Sequence, residues 1–230
     1  MNRQVGSRSN QSLESIQSEG TRLLAFARRD PEAGVPQYPG WQLRDMARHV
    51  ASVHARTVAV CRELPRERIP APGLPDGLDE LDWLEETLAE LVEELRLADP
   101  AEPAWCVTVE QTLGAWQQRM AIETGVHRWD AQGAFERPDV LPDVVALAGL
   151  DEFASLWLPR LRELPGSLEL PTLEVHAHDI GRTWTFGPGP PTARVSGMAS
   201  ELYLGLVARS GVRLPAEWQA AVGRLPTPVA

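Results

Sequence analysis

Four stretches of this chain carry apolar residues at alternating three- and four-residue spacing, each closed off by proline and glycine. That is the signature of amphipathic helices joined by loops. The third stretch, about Leu78 to Ala98, is the most regular: Leu78, Leu81, Leu84, Leu88, Leu91, Val92 and Leu95 form one face, and Glu and Asp fill the others. The first runs from about Ser12 to Arg29, the second from Trp41 or Gln42 to about Leu64, and the fourth from about Leu113 to Ala134. Between them lie Asp30-Pro31 with Gly34, Pro36, Pro39 and Gly40, then Pro65 to Gly77, then Asp99-Pro100 with Pro103. Four such helices predict an antiparallel four-helix bundle, where metal sites are built from side chains that project inward.

After Pro138 the texture changes. Leu141 to Leu164 reads as one more helix, with Pro142 in its first turn. TLEVHAHD and RTWTF then read as two strands around the connection Asp179 to Arg182. Ala193 to Ser196 adds a short strand before a helix from about Met198 to Ser210, and the last twenty residues show no clear period. The fold class is therefore α+β: a flexible N-terminus over residues 1–11, a helical bundle over 12–138, and a small α+β domain over 139–230.

Composition narrows the function classes. All 22 basic residues are arginine, a pattern of coding bias that makes any one arginine less informative. The formal net charge of −10 disfavours nucleic acid as a partner. No apolar run approaches the length of a membrane span, and the N-terminus has no stretch like a signal peptide, so no membrane partner and a cytoplasmic location are expected. Cys61 and Cys106 are too few and too far apart for a disulfide framework and read as structural thiols. There is no phosphate-binding loop and no nucleophile elbow. Monomer and homodimer both remain open.

Chemistry concentrates in the fourth helix. Stepping along its seam through Leu113, Trp116, Met120, Glu123, His127, Asp130 and Ala134 puts a carboxylate and an imidazole in line with core positions. Residues four apart on a helix share a face, with Cβ atoms roughly 5–6 Å apart. A buried lone carboxylate is costly unless it is paired or bound to a metal. A divalent cation is the sharpest partner for this pair; an intrahelical Glu–His hydrogen bond is the alternative. Of the other histidines, His54 falls at the centre of the apolar stripe of the second helix, while His49 lies about 100° away on its flank. Spacing alone thus favours His54 as the buried one. His176 and His178, two apart on a strand, point to one face and are expected towards solvent or a cleft.

VPQYPGWQLRDMARHVASVH, followed some seventy residues later by ETGVHRWDAQGA, resembles the mycothiol-dependent maleylpyruvate isomerase family, with Met46 where a leucine is commoner. DIGRTWTF and GMASELYLGLVAR are similar to softer motifs of the same family. The resemblance implies a DinB-like metal-binding four-helix bundle followed by a sterol-carrier-like domain. It implies metal ligation by His49, Glu123 and His127, which is what selects His49 over His54. Two imidazoles and one carboxylate leave a coordination position open, as catalytic zinc sites do. Asp130 would orient a ligand from behind, or form a salt bridge with Arg128 or Arg137. The implied cofactors are a divalent metal, zinc by default, and mycothiol or a similar small thiol. The implied partners are that thiol and an electrophilic substrate. The thiolate would add to the cis double bond of a maleyl-type substrate, rotation would follow, and elimination would return the thiol. Arg209, at the end of the C-terminal helix motif, is a candidate for the substrate carboxylate. Isomerase and thiol S-transferase are both open under this reading. A noncatalytic metal or small-molecule binding module and a metal-hydroxide hydrolase are the rivals.

Overall fold

The structure is a computed structural model and describes residues 2–164, 170–209 and 211–225, with side chains from residue 10 onwards. Four long helices come first: α1 (Asn2–Arg29), α2 (Leu43–Glu63), α3 (Glu80–Leu97) and α4 (Leu113–Gln132). α1 therefore starts well before the expected Ser12. No proline interrupts residues 2–12, so nothing in that stretch forces a break. Helix starts are set by local chemistry. Asp79 caps α3 by accepting from Leu81 N–H at 2.8 Å, and Thr112 caps α4 by accepting from Ala115 N–H at 3.2 Å. At α2 the Gln42 N–H donates to Asp45 Oδ2 at 2.9 Å.

α1 packs on α4 and α2 on α3, with α1–α3 and α2–α4 contacts completing the bundle. Gly20 permits the α1–α3 approach, because a Cβ there would lie 2.5 Å from Leu88 Cδ1. His49 meets Glu123, His54 meets Thr124, and Thr57 meets Met120, so α2 and α4 run antiparallel. One core cluster joins Leu23, Leu24 and Ala27 of α1 to Leu43, Met46, Val50, Trp83 and Leu84. The loop between α1 and α2 is tied into it. Tyr38 N–H donates to Val35 O, Trp41 N–H donates to Tyr38 O, and Gly40 takes the left-handed conformation (φ 89°) that turns the chain between them.

α4 departs from the amphipathic expectation, since every residue from Met120 to Gln132 is buried. Several of its polar side chains meet one another or groups on neighbouring helices. Arg128, wholly buried, donates through Nε to Glu19 Oε2 at 2.5 Å and through Nη1 to Gln132 Oε1 at 2.9 Å. It also reaches the backbone carbonyls of Asp139 and Val140, both at 3.2 Å.

The chain divides into two compact units, the first ending at Val145 and the second spanning residues 146–227, a few residues beyond the expected boundary. Val145 sits against Gly125 of α4, where an added Cβ would meet Val145 Cγ1 at 3.0 Å, which ties the start of α5 (Asp143–Glu152) to the bundle.

In the second unit, a π-helical turn (Phe153–Trp157) links α5 to α6 (Leu158–Glu163), where one continuous helix was expected. Pro159 explains the interruption: it has no N–H, and its ring crowds the carbonyl four residues earlier. Strands β1 (Leu173–Ala177), β2 (Arg182–Phe186) and β3 (Ala193–Gly197) form a sheet of order β2-β1-β3, antiparallel on one side of β1 and parallel on the other. α7 (Ala199–Leu206) and α8 (Ala216–Val222) follow. α8, which the sequence did not reveal, buries Trp218 beside Phe153 and Phe186, with ring centroids 6.3 Å from each. The Trp218 indole donates to Pro171 O at 2.9 Å.

Candidate metal centre

His49 and His127 place their Nε2 atoms 3.2 Å from the same oxygen, Glu123 Oε1. One ligand atom from each of the three lies within 4.8 Å of the others, and among the described residues this is the group of histidine, cysteine and carboxylate side chains able to hold a metal ion. The two imidazoles meet edge to face, centroids 5.2 Å apart. The other Glu123 oxygen, Oε2, is engaged by Arg119 one turn earlier on α4. Burial is uneven: the side chains of His127 and Glu123 are 4% and 8% exposed, against 18% for His49. The centre is therefore reached from the His49 side.

Burial pushes the Glu123 carboxyl upward, but Arg119, His127 and His49 outweigh it and hold the group well below the usual carboxylate range. Burial likewise disfavours a charged His127. Glu123 and Asp130 prevail and raise that imidazole to about 8. A field that retains a proton on a buried imidazole favours positive charge at that point, and a divalent cation would take the proton's place. The donor set fits one: two imidazole nitrogens converge on a carboxylate oxygen already ionised and held by a guanidinium. Asp130 is fully buried, and its Oδ2 lies 3.3 Å from His127 Nδ1, within ion-pair range although outside good hydrogen-bond geometry. Arg128, a suggested partner for Asp130, instead pairs with Glu19.

The helical wheel is right about His54 and silent about His49. His54 is completely buried, its Nε2 2.9 Å from Thr124 Oγ1, and burial pushes its pKa down to about 4. The flank position puts His49 at the edge of the core, where a ligand can be reached from outside. His176 Nδ1 pairs with Thr183 Oγ1 across the β1–β2 ladder at 2.9 Å, and His178 is exposed beyond the strand end. Cys61 and Cys106 are free thiols, and burial raises the pKa of both, that of Cys61 to about 12. Arg209 follows α7 in the second unit, where its Nη1 donates to Val207 O at 2.9 Å.

Three contributors were not assigned roles from sequence. Trp41 lies 5.5 Å from the His49 ring, Tyr38 lies 6.0 Å from the His127 ring, and the two aromatics stack at 5.0 Å. Together they wall the histidine pair. Their signal was the aromatic residue on either side of Pro39-Gly40, just before the His49 helix. The signal for Arg119 was its four-residue offset from Glu123.

A family profile described as the mycothiol maleylpyruvate isomerase N-terminal domain matches residues 13–132. No curated protein matches the chain significantly. Among solved structures, the mycothiol-dependent maleylpyruvate isomerase superposes with a TM-score of 0.65 at 16% identity, covering 90% of each chain. A histidine-to-alanine mutant of a mycothiol-dependent maleylpyruvate isomerase gives the same TM-score and coverage at 15% identity. At that identity the likeness speaks for the fold. Among the described residues, no helix is long and apolar enough to cross a membrane.

Proposed function

The chain belongs to the mycothiol maleylpyruvate isomerase N-terminal domain family, and from that premise we propose that it is a metal- and thiol-dependent enzyme acting on a maleylpyruvate-like substrate. The observation that carries this reading is the convergence of His49 and His127 on one oxygen of Glu123. These three side chains would hold the cation, zinc by default. Lewis acidity at that point would favour the ionised form of an incoming small thiol, mycothiol or a close relative, which is the nucleophile this chemistry needs.

The chain's own residues prepare the position. Asp130 faces His127 Nδ1, which keeps a proton there and leaves the Nε2 lone pair directed at the centre. Arg119 occupies Glu123 Oε2, leaving Oε1 for the cation. The rings of Tyr38 and Trp41 keep bulk water from the histidine pair, which strengthens charge interactions inside the site. The half-buried edge of His49 leaves an approach for thiol and substrate.

The test is turnover. Purified protein of known metal content, given maleylpyruvate, should form the trans isomer only when mycothiol is present, and a chelator should stop it. S-conjugation to an electrophile under the same conditions would assign the transferase variant of this reading. Turnover that persists without thiol would instead identify a metal-hydroxide hydrolase.

A further inference from the structure

We propose that Arg56 is the residue that binds a carboxylate of the substrate beside the metal centre. This deepens the reading of the preceding section and rests on it for the substrate being an acid. Arg56 follows His49 by seven residues on α2, which returns it to within about 20° of the same helix face. Because α2 and α4 run antiparallel, Arg56 and Arg119 both lie on the same side of the His49–His127 pair along the bundle. Arg56 Cζ stands 5.8 Å from the Trp105 ring centroid and 5.7 Å from that of Trp116. The two indoles meet edge to face at 5.6 Å, and Trp116 Nε1 donates to Trp105 O at 2.5 Å, so the platform under the guanidinium is fixed.

What the guanidinium lacks is an anion. Its Nε is buried without a hydrogen-bond partner, and among the described residues Arg56 forms no ion pair, although the residue is only half-buried and can be reached. A buried guanidinium with no counter-charge is costly. Burial lowers its pKa, and Glu123 is the carboxylate that opposes this, but Glu123 is already committed to Arg119, His49 and His127. A chain of net charge −10 thus keeps an unpaired, aromatic-backed arginine beside its metal site. A planar fork so held is matched to a carboxylate, which it can engage through two parallel hydrogen bonds.

The experiment uses the full chain as purified, with its metal content measured. Maleate and its uncharged diamide are titrated while tryptophan emission, sensitive at Trp105 and Trp116, and heat are followed. Wild type should bind maleate at least roughly tenfold more tightly than the diamide, and Arg56→Gln should weaken maleate by about that factor while leaving diamide binding and metal content unchanged. Arg56→Lys, which keeps the charge without the fork, should also weaken maleate, and it carries the test if the glutamine variant fails to fold. Absence of maleate binding to wild type, equal binding of maleate and diamide, or maleate affinity indifferent to Arg56 would overturn the assignment. Arg56-dependent maleate binding without thiol-dependent turnover retires the enzyme reading and leaves the anion subsite. Thiol-dependent turnover with Arg56-indifferent maleate binding does the reverse.

Discussion

Glu123 Oε1 stands 3.2 Å from His49 Nε2, although 74 positions of chain separate the two residues. That proximity is made by packing α2 against α4, so it tests the fold and the site together. His49→Ala, Glu123→Gln and His127→Ala should each lose most of the roughly one metal per chain expected of wild type, measured by elemental analysis after gel filtration. His54→Ala is the control. It removes a buried imidazole one and a half turns away and should cost about 2 kcal/mol of stability while leaving metal content intact. Full metal content in His49→Ala would remove that residue from the centre.

Under the proposed reading Asp130 would act on the centre through His127, so its effect should be partial. Asp130→Asn keeps the volume but removes the charge facing His127 Nδ1 at 3.3 Å. Metal affinity, measured by competition with a chromophoric chelator, should fall by about 10–100-fold with little change in secondary structure. An unchanged affinity would make Asp130 a packing residue.

The buried ion pair of Arg128 and Glu19 joins α4 to α1, and the same guanidinium holds the backbone at Asp139 and Val140. Glu19→Leu strands a charge in the core and should destabilise the protein by about 3–5 kcal/mol in denaturant unfolding. Adding Arg128→Met should recover much of that loss, because the desolvated charge goes with its partner. A double variant as unstable as Glu19→Leu alone would shift the weight to the carbonyl contacts.

The legible parts of this molecule were those where one face of an element is wet. α3 reads cleanly because its leucines face the core and its glutamates face water. α4 is buried all round from Met120 to Gln132, so periodicity could rank Glu123 and His127 as core-facing yet could not show that Arg128 and Gln132 are buried as well. His49 was out of reach of the helical wheel for a physical reason: a candidate ligand approached from solvent sits at the edge of the apolar stripe, whereas the wheel finds its centre, His54. Only the resemblance of its surrounding motif selected it. α8 is short and held mainly by Trp218, so it has too few turns to show a period. The π turn before Pro159 follows from a single residue inside an otherwise regular pattern.

His54 makes stability depend on pH in a window of its own. Its folded pKa is lowered to about 4 from 6.5, so it stays neutral in the native protein while the unfolded chain takes up a proton. Below pH 6.5 the unfolded state therefore binds more protons, and stability should fall as pH drops, by up to about 1.4 kcal/mol per unit. His127 has the opposite sign in a different window: raised to about 8, it contributes stability present below 6.5 and lost as pH rises through 8. Glu123, held well below 4.5, contributes stability that is lost only on further acidification. Between pH 6.5 and about 4.5, His54 is thus the main source of slope among these three. Urea unfolding of chelator-treated protein across that range should show the decline in wild type and a markedly flatter profile in His54→Gln. Parallel profiles would mean that the His54 imidazole is protonated in the native core, and its contact with Thr124 Oγ1 would then be a charged one.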